Sequence, residues 1–310
     1  MQKYEFLRGK ANPSATQIRR KSQILNWQQP HGFRWIITKN FSDNAFFFSF
    51  THNLQNMTLK FLGTGTSQGI PVIGCHCPVC SSADPRDKRT RASAMITTDS
   101  GHKILIDCGP DFRQQMLSNN ETQVDALLLT HEHNDHVIGL DDLRPLIFKN
   151  KKEIPVYCNE RVSHEIKQRF PYAFAEEKYP GAPSFDLHLI NGDLHLFGTQ
   201  ILPVEVMHYR ISIYGFRFRN LVYITDASLI PEEEKDKLRG LDHLILNCIR
   251  KENPHPAHFI LEDVLKLNEE LKPANMYLTH ISHQYGLHSE SHTDLPANVQ
   301  LAYDSLEIEF

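Results

Sequence analysis

The stretch Thr130-His131-Glu132-His133-Asn134-Asp135-His136 decides how the rest of this sequence is interpreted. Three histidines and one aspartate fall within seven residues, and the apolar residues 124–129 come directly before them. Imidazole and carboxylate groups are ligands for zinc and for manganese. Packing alone rarely requires four such groups on one loop, although a polar loop with incidental histidines is the alternative. The stretch therefore predicts a metal site at the end of a buried strand.

Three further candidate ligands have the same placement. His208, Asp226 and His280 each come directly after a run of apolar residues that has a strand pattern. Strand ends at one edge of a sheet present their side chains into one cleft, and a rigid scaffold gives the accuracy that metal ligation needs. A single histidine after a strand is usually structural. Together with the histidine-rich loop, the three placements favour a metal centre and predict a metal-dependent hydrolase.

Residues 57–310 alternate between strand and helix patterns. The strand patterns cover residues 58–62, 94–98, 102–107, 124–129, 154–158, 201–206, 221–225, 243–248 and 275–279. The helix patterns cover residues 110–118, 141–148, 160–170, 231–238 and 259–271. In the last of these helices, Ile260, Val264, Leu267 and Leu271 fall on one face. Mixed elements of this kind predict a layered α/β architecture.

The first 56 residues differ from the rest of the chain. Up to Lys39 they are basic, with Glu5 as the single acidic residue, and they show no sustained helical or strand period. A clean strand pattern begins only after Met57. We therefore predict a poorly structured basic extension over residues 1–56, which is not part of the natural protein if Met57 is the true start, and one hydrolase domain over residues 57–310. A basic arm for an anionic partner is the alternative.

The composition limits the partners and the compartment. The 310 residues carry a formal net charge of −4, and 40% of them are hydrophobic, which is ordinary for a soluble globular protein. Nucleic acid is an unlikely partner, because proteins that bind it usually carry a basic face. The longest aromatic run, residues 45–50, is too short for a membrane span, so we predict a cytoplasmic protein without a membrane partner. A homodimer is left open.

The ligand pattern resembles the signature loop of the metallo-β-lactamase superfamily of hydrolases. The resemblance covers residues 57–310 and implies an αββα sandwich with the site at the sheet edges. It implies that one metal ion takes His131, His133 and His208, that a second takes Asp135, His136 and His280, and that Asp226 bridges both. Two cations about 3.5–4 Å apart can clamp the attacking and departing oxygens of a displacement and activate a bridging water. Histidine and carboxylate suit zinc and manganese equally.

A second metal site is predicted at Cys75, Cys77 and Cys80. Three thiolates within six residues can wrap one zinc ion, which needs a fourth ligand in a structural site. His76 would ligate awkwardly between two ligating neighbours. His283, three residues after His280, is the better candidate, and the family resemblance supports it. A redox or packing role is the alternative, and a clustered thiolate site favours a reducing compartment.

Within the superfamily, the chain is similar to PhnP-like phosphodiesterases. The similarity rests on Leu62-Gly63-Thr64-Gly65-Thr66-Ser67 with Gly69 and Pro71, on the cysteine triplet, on Asp107-Cys108-Gly109-Pro110-Asp111-Phe112-Arg113, on Gly139-Leu140-Asp141-Asp142-Leu143-Arg144-Pro145, and on the pair His280 and His283. It implies two divalent ions, zinc or manganese, in the active site and one structural zinc. The bridging position of Asp226 favours phosphoester chemistry over lactam chemistry.

We expect His258 and Asp135 to be the catalytic side chains. His258 comes just before a helix predicted to start near residue 259, and a histidine there can donate to a phosphoryl oxygen or protonate a leaving oxygen. The resemblance also points to His258. A capping or surface histidine is the alternative, and His255 is the alternative donor. Asp107, after its strand, is expected either to orient a metal-bound histidine or to form a turn.

The predicted function is a dinuclear metal-dependent phosphodiesterase. It would hydrolyse a small phosphodiester, cyclic ones included, through a metal-bridging hydroxide. An RNase Z-like tRNA 3′-end endonuclease is the first alternative, but no Gly- and Lys-rich insertion interrupts residues 57–310. A catalytically inactive, metal-stabilised binding protein is the second, although none of the seven ligands is missing. Thioester, lactone and lactam hydrolysis stay open, because the same centre can attack a carbonyl.

Overall fold

The computed structural model describes residues 56–293 and 295–310, together with the backbone of three strands nearer the N-terminus. Contacts divide the chain into two units, Met1–Leu54 and Gln55–Phe310. In the first unit, β1 (Ile24–Gln28), β2 (Phe33–Asn40) and β3 (Ala45–His52) pair in antiparallel fashion. These strands lie within residues 1–56, for which the sequence predicts a poorly structured extension, and their aromatic and β-branched residues are types that favour strands. The rest of that segment lies outside the described residues.

The second unit is built on two seven-stranded sheets. The first sheet has the order β17-β4-β5-β6-β7-β8-β9 and the second has the order β10-β11-β12-β13-β14-β15-β16. The strands are β4 (Thr58–Gly63), β5 (Ser93–Thr97), β6 (Lys103–Ile106), β7 (Ala126–Leu128), β8 (Ile154–Cys158), β9 (Phe185–Leu189), β10 (Leu194–Leu196), β11 (Thr199–His208), β12 (Ile211–Phe218), β13 (Leu221–Tyr223), β14 (His243–Asn247), β15 (Asn275–Thr279), β16 (Val299–Leu301) and β17 (Glu307–Glu309).

Short helices connect these strands. The α-helices are α1 (Pro78–Ser81), α2 (Phe112–Ser118), α3 (Asn134–Val137), α4 (Arg144–Asn150), α5 (Glu160–Arg169), α6 (Pro171–Phe174) and α7 (Leu261–Leu271). The 3₁₀ helices are Pro85–Asp87, Ile138–Leu143, Glu232–Leu238 and His288–Thr293. No helix within the described residues is both long and apolar enough to cross a membrane.

Three buried clusters define the layers. Between the sheets, the inward faces meet, with Phe61 and Ile104 from the first sheet and Phe216 and Tyr223 from the second. On the outer face of the first sheet, apolar side chains of α2, α4 and α5 pack against β6, β7 and β8. On the outer face of the second sheet, α7 packs against β14 and β15. The predicted αββα sandwich is confirmed.

The helix α7 shows how the sequence produces this packing. Val264, Leu267 and Leu271 are buried along one face, as their spacing predicts. The helix begins at Leu261, two residues later than predicted, where the carboxylate of Asp263 accepts a hydrogen bond from the backbone N–H of Ile260. Each buried side chain of this size contributes about 1.5–3 kcal/mol through the surface it removes from water.

Some elements differ from the sequence patterns. The segment predicted as a helix over residues 231–238 is a 3₁₀ helix, because it is almost entirely charged and Leu238 is its single buried residue. The strand β12 was not predicted, although its eight residues pair with residues 201–208 of β11 in an antiparallel hairpin. That pairing matters below, because β11 ends at His208.

Candidate metal centre

The candidate centre lies where strands of both sheets end. The loop 131–136 follows β7, and His208 is the last residue of β11. Asp226 and His280 follow β13 and β15, which run parallel to β14 between them, so their carboxyl ends meet at the same edge. His131 and His136 are completely buried, and Asp226 and His280 are 3% and 2% exposed. The structure brings all of the candidate ligands together.

Three residues at this edge share an uncommon backbone conformation. Asp107, Asp226 and His280 have φ values of 60°, 58° and 54°. A left-handed conformation costs a non-glycine residue about 1–3 kcal/mol and persists only where the surroundings enforce it. Each of the three comes directly or shortly after a strand. The turn takes the side chain out of the strand's alternation, which is how successive strands can aim polar groups at one point.

The first group of candidate ligands contains histidines alone. One ring nitrogen each from His131, His133 and His208 lies within 4.8 Å of the others. Nε2 of His131 is 3.1 Å from Nδ1 of His133. Nδ1 of His208 donates to the carbonyl oxygen of Ala257 at 2.8 Å, so its Nε2 remains available.

The second group combines Asp135, His136 and His280, whose ligand atoms also lie within 4.8 Å of one another. Oδ2 of Asp135 is 3.3 Å from Nε2 of His136. This group and the all-histidine group together contain six of the seven candidate ligands of the dinuclear centre.

Asp226 lies within reach of both groups. Its carboxylate oxygens are 3.2 Å from Nε2 of His136 and 3.1 Å from Nε2 of His280 in the second group. The same carboxylate also lies within 4.8 Å of ligand atoms of His131 and His208 in the first group. A carboxylate so placed can be shared between two cations.

Orphaned polar atoms test whether metal ions fit here. Nε2 of His136 and both ring nitrogens of His280 are buried and make no hydrogen bond to any described residue. Carboxylate oxygens lie 3.1–3.3 Å from the two Nε2 atoms but are not aligned for hydrogen bonding. A buried polar atom without a partner costs about 1–3 kcal/mol. Divalent cations would satisfy these nitrogens and the surrounding oxygens at once, so the residues fit such ions.

The charges of the centre depend on one another. Burial opposes a charge on His136, but the carboxylates of Asp226, Asp135 and Asp107 raise its pKa well above the ordinary value. Burial also disfavours ionised Asp226, but His280 and His136 hold its pKa well below the usual range. Burial, followed by the charge of His136, lowers the pKa of His131 well below its ordinary value. Ionised carboxylates and neutral imidazoles are the forms that bind metals, and a cation would displace the proton from His136.

A second layer of contacts orients the histidines. Oδ2 of Asp107 accepts from Nδ1 of His136 at 2.7 Å. Asp107 also accepts from the backbone N–H and the hydroxyl of Thr130 at 2.9 and 2.8 Å, and that hydroxyl lies 2.9 Å from Nδ1 of His131. In both histidines Nε2 is therefore directed to the centre. Asp107 orients a candidate ligand, which is one of the two roles that its place in the sequence predicts.

Two arginines that the sequence patterns did not single out hold the histidine-rich loop. Arg161 donates to the carboxylate of Glu132 and, at 2.7 Å, to the carbonyl oxygen of Ser212. Arg169 donates to the carbonyl oxygen of Glu132 and, at 3.1 Å, to Oδ1 of Asn134. Both lie on α5. Nothing in the sequence distinguishes them from ordinary arginines on the polar face of a surface helix.

His258 lies against the centre. Its Nδ1 is 3.6 Å from Oδ1 of Asp226, and its ring centroid is 4.9 Å from that of His208 and 4.8 Å from that of His280. Burial, and then the charge of His280, lower the pKa of His258 to about 3. The ring of His255 lies one step further out, 4.8 Å from the ring of His258.

The cysteine cluster forms a separate site with the shape of a tetrahedron. The Sγ atoms of Cys75, Cys77 and Cys80 lie 3.3, 3.5 and 3.6 Å from Nδ1 of His283. Zinc bound at about 2.3 Å to sulfur and about 2.0 Å to nitrogen places these atoms about 3.5 Å apart in a tetrahedron. A hydrogen bond from the backbone N–H of Cys80 lowers the pKa of Cys77 to about 6. His76 is exposed and takes no part. The four atoms fit one zinc ion.

The chain is similar to characterised hydrolases of known structure. Residues 102–281 match the family profile of the β-lactamase superfamily domain. The crystal structure of a new diphosphatase from the PhnP family is 43% identical, with a TM-score of 0.77, and the match covers 82% of this chain and 97% of that chain. Human tRNase Z, short form, is 18% identical, with a TM-score of 0.61 over 81% of this chain and 98% of that one, which shows the shared fold alone.

Two curated relatives carry other names. A protein of Porphyromonas gingivalis named octanoyltransferase is 40% identical over 253 residues, 81% of this chain and 51% of that protein. This chain thus spans about half the length of that relative. Coenzyme PQQ synthesis protein B of Methylorubrum populi is 36% identical over 220 residues, 62% of this chain and 72% of that protein.

Fold, site and comparisons agree on the class. The chain belongs to the metallo-β-lactamase superfamily and is a metal-dependent hydrolase of that fold. Within the superfamily it belongs with the PhnP family, whose diphosphatase it matches along nearly the whole of that chain.

Proposed function

We propose that this protein is a phosphodiesterase with two divalent metal ions, zinc or manganese, and a small phosphodiester as its substrate. The observation that carries the proposal is the position of Asp226, whose carboxylate lies within 4.8 Å of ligand atoms from both groups. His131, His133 and His208 would hold one ion. Asp135, His136 and His280 would hold the other, with Asp226 shared. Cys75, Cys77, Cys80 and His283 would hold a structural zinc.

The chemistry follows from this arrangement. When bound, the two ions supply positive charge to the phosphoryl oxygens and an activated water at neutral pH. Asp107 and Thr130 keep the ring nitrogens of His136 and His131 directed inward. Burial opposes the ionisation of Asp135, but the charge of His136 stabilises its carboxylate and lowers its pKa to about 2. Asp135 is therefore ionised. Its part in catalysis is proposed to be this fixed negative charge beside the reacting centre.

His258 is proposed to assist the leaving oxygen. Its ring lies between those of His208 and His280, against Asp226, so it borders the space where a substrate bound between the two groups would lie. A neutral imidazole there can donate one N–H to a phosphoryl or leaving oxygen. His255, further from Asp226, is the less favoured donor.

The proposed substrate class is defined by the charge and the bridging oxygens of the phosphorus atom that is attacked. A phosphodiester and an internal diphosphate both present a phosphorus with one negative charge and two bridging oxygens. The neighbour described as a diphosphatase acts on a diphosphate by its description, and we propose that the centre in this chain would serve for either kind of phosphorus. We therefore propose small substrates of this type, cyclic phosphates included, in a reducing cytoplasm and without nucleic-acid or membrane partners. The homodimer remains a prediction for size-exclusion chromatography.

An activity panel tests the proposal. The purified protein, loaded with zinc or with manganese, is offered bis-p-nitrophenyl phosphate, 2′,3′- and 3′,5′-cyclic nucleotides, ribose cyclic phosphate and ADP-ribose, each with and without chelator. We expect turnover of at least one of them, abolished by chelator and restored by metal. Failure on every phosphorus substrate would refute the proposal.

The panel also contains the competing substrates. Pre-tRNA is included because an RNase Z-like activity uses the same ligands, although that structural neighbour shows the fold alone. An octanoyl thioester is included because one relative is named octanoyltransferase, and a lactam because the fold family is named for it. Preferential cleavage of any of these would replace the phosphodiesterase assignment. Binding without cleavage of any substrate would favour an inactive binding protein.

A further inference from the structure

The turn of the β11–β12 hairpin follows directly after a candidate ligand of the centre. His208 pairs with Ile211 in the antiparallel register, so Tyr209 and Arg210 alone form the turn. His208 is 7% exposed, whereas Tyr209, the next residue, is 54% exposed. The turn therefore lies at the rim of the cleft, between a candidate metal ligand and solvent.

Tyr209 occupies a position that the backbone reserves for glycine. Its φ is 55°, which the first central residue of a two-residue hairpin turn needs and which glycine adopts without cost. A bulky residue there is a genuine outlier. The turn is nevertheless firmly held, because the backbone N–H of Tyr209 donates to the hydroxyl of Ser228 at 2.9 Å and that hydroxyl donates to the carbonyl oxygen of Met207 at 3.0 Å. The turn thus holds an aromatic ring at this point despite the unfavourable backbone conformation.

Arg210 stacks on that ring. Its guanidinium carbon lies 4.9 Å from the centroid of the Tyr209 ring. Arg210 makes no salt bridge and no side-chain hydrogen bond with any of the described residues. Its positive charge and its donors are therefore free for a ligand, while the stack restricts where the side chain can go.

The two side chains have complementary chemistry. Arg210 covers one face of the Tyr209 ring, so a planar base would stack on the opposite face, and such stacking tolerates different bases. A guanidinium offers paired donors to phosphate oxygens and can itself stack on a planar group. A small molecule that needs both contacts carries a base and an anionic phosphate within a few bonds of each other.

We propose that Tyr209 and Arg210 form a nucleotide-recognition platform, with the base on the Tyr209 ring and a non-reacting phosphate oxygen on Arg210. This rests on the proposed phosphodiesterase function and narrows its substrate to phosphodiesters or internal diphosphates that contain a nucleoside. Sugar phosphates without a base would bind through the centre and Arg210 alone.

Equilibrium binding tests the platform without requiring turnover. Isothermal titration calorimetry with the metal-loaded protein compares AMP with ribose 5-phosphate, which lacks only the base. We expect AMP to bind the unmodified protein about tenfold more tightly, as one stacked base provides. Tyr209→Gly should remove that preference while leaving ribose 5-phosphate binding unchanged, and its melting temperature should stay the same or rise because glycine relieves the left-handed φ.

Variants at Arg210 separate charge from stacking. Arg210→Ala should weaken both ligands about tenfold, and Arg210→Lys should restore ribose 5-phosphate more than AMP. Phe148→Ala removes an aromatic side chain of similar exposure (49%) on α4 and should change neither affinity. Equal binding of AMP and ribose 5-phosphate by the unmodified protein, or an undiminished AMP preference in Tyr209→Gly, overturns the platform. The activity panel fails or succeeds separately, because neither result depends on hydrolysis.

Discussion

The two candidate metal sites of this protein are built in opposite ways. The proposed dinuclear centre collects its candidate ligands from four strand ends across both sheets, and most of them are buried. The cysteine site draws three of its four ligands from one six-residue stretch of loop, and three of the four are only half-buried. The first is therefore held in place by the hydrophobic layers of the fold. The second packs against only a small apolar cluster that contains Ile70, Val79 and Cys80, so we expect its geometry to depend more on the ion that it would bind.

This contrast predicts that one site mainly affects activity and that the other mainly affects stability. Loss of a ligand in the dinuclear centre should damage activity more than folding, because the sheets keep the remaining side chains where they are. Loss of a ligand in the cysteine site should damage stability more than activity, because the proposed zinc ion would join this loop to the segment after β15. The predictions below test this division, beginning with the largest expected effect.

Asp226→Asn should abolish most activity. The substitution keeps the shape of the side chain but removes the charge that both ligand groups share, so we expect kcat to fall by at least about 10³-fold, equivalent to about 4 kcal/mol of transition-state stabilisation. Steady-state kinetics measure it, with metal analysis by mass spectrometry alongside. Asp236→Asn, a change of the same chemistry at an exposed position, serves as the control. Retained activity in Asp226→Asn would show that the two groups do not act through a shared carboxylate.

His258→Ala should reduce turnover without removing metal. Loss of a donor to the leaving oxygen is expected to lower kcat by about 10²-fold, and both active-site ions should stay bound because the other seven side chains are intact. The control is His164→Ala, an exposed histidine on α5. A near-normal rate would reject the role of His258, and a loss of bound metal would instead make it a ligand, as its closeness to Asp226 and His208 allows.

Cys75→Ser should produce the reverse pattern. One zinc equivalent should be lost while the two active-site ions remain, and kcat should stay within about threefold. The melting temperature should fall by several degrees, since about 1 kcal/mol corresponds to about 2–4 °C in a domain of this size. Cys158→Ser, at a buried thiol outside the cluster, should leave the zinc content unchanged. Unchanged zinc in Cys75→Ser contradicts the assignment.

The smallest effect concerns acid stability beside the cysteine loop. Nη2 of Arg89 lies 3.3 Å from Nδ1 of His288, a contact that requires the neutral ring. Burial, and then Arg89 and Arg86, lower the pKa of His288 to about 4. The folded state therefore binds fewer protons than the unfolded state between about pH 6.5 and 4, so this contribution is present above pH 6.5 and is lost as the pH falls towards 4.

The contribution of His288 to acid sensitivity is measured by comparing two variants with the unmodified protein. The free energy of unfolding of His288→Asn should fall less steeply with acidification over this range than that of the unmodified protein, by on the order of 1 kcal/mol. His195→Asn, at an exposed histidine, should follow the unmodified protein. Parallel curves for all three proteins would mean that His288 contributes nothing to acid sensitivity.

Much of the fold could be predicted because its signals are local. The face of α7 and the apolar strands before each candidate ligand are visible within ten or so residues. The kinds of side chain at the centre could also be predicted, because each histidine or aspartate is recognised from its position after a single apolar strand. The division of these side chains into two groups came from the resemblance to a family. In the structure the ligand atoms of each group lie within 4.8 Å of one another, and Asp226 lies within that distance of members of both groups.

The features that could not be predicted depend on contacts between distant elements. The left-handed backbone of Asp226 and His280 is enforced by neighbouring strands and leaves no trace in residue type. Arg161 and Arg169 become important only because α5 packs beside the histidine-rich loop. The first three strands have no polar alternation to reveal them, and the charged 3₁₀ helix Glu232–Leu238 has one buried residue, too few to set a period.

The segment that carries both His280 and His283 has a consequence for how the protein is made. Cys75 and His283 are separated by 208 positions, and the backbone N–H of Ile281 reaches back to Thr64 at 2.8 Å. A chain emerging from the ribosome therefore exposes thiolates and imidazoles long before either set is complete. Loading of the two proposed sites would therefore wait until the stretch from His280 to His283 is made, since its four residues contribute a candidate ligand to each.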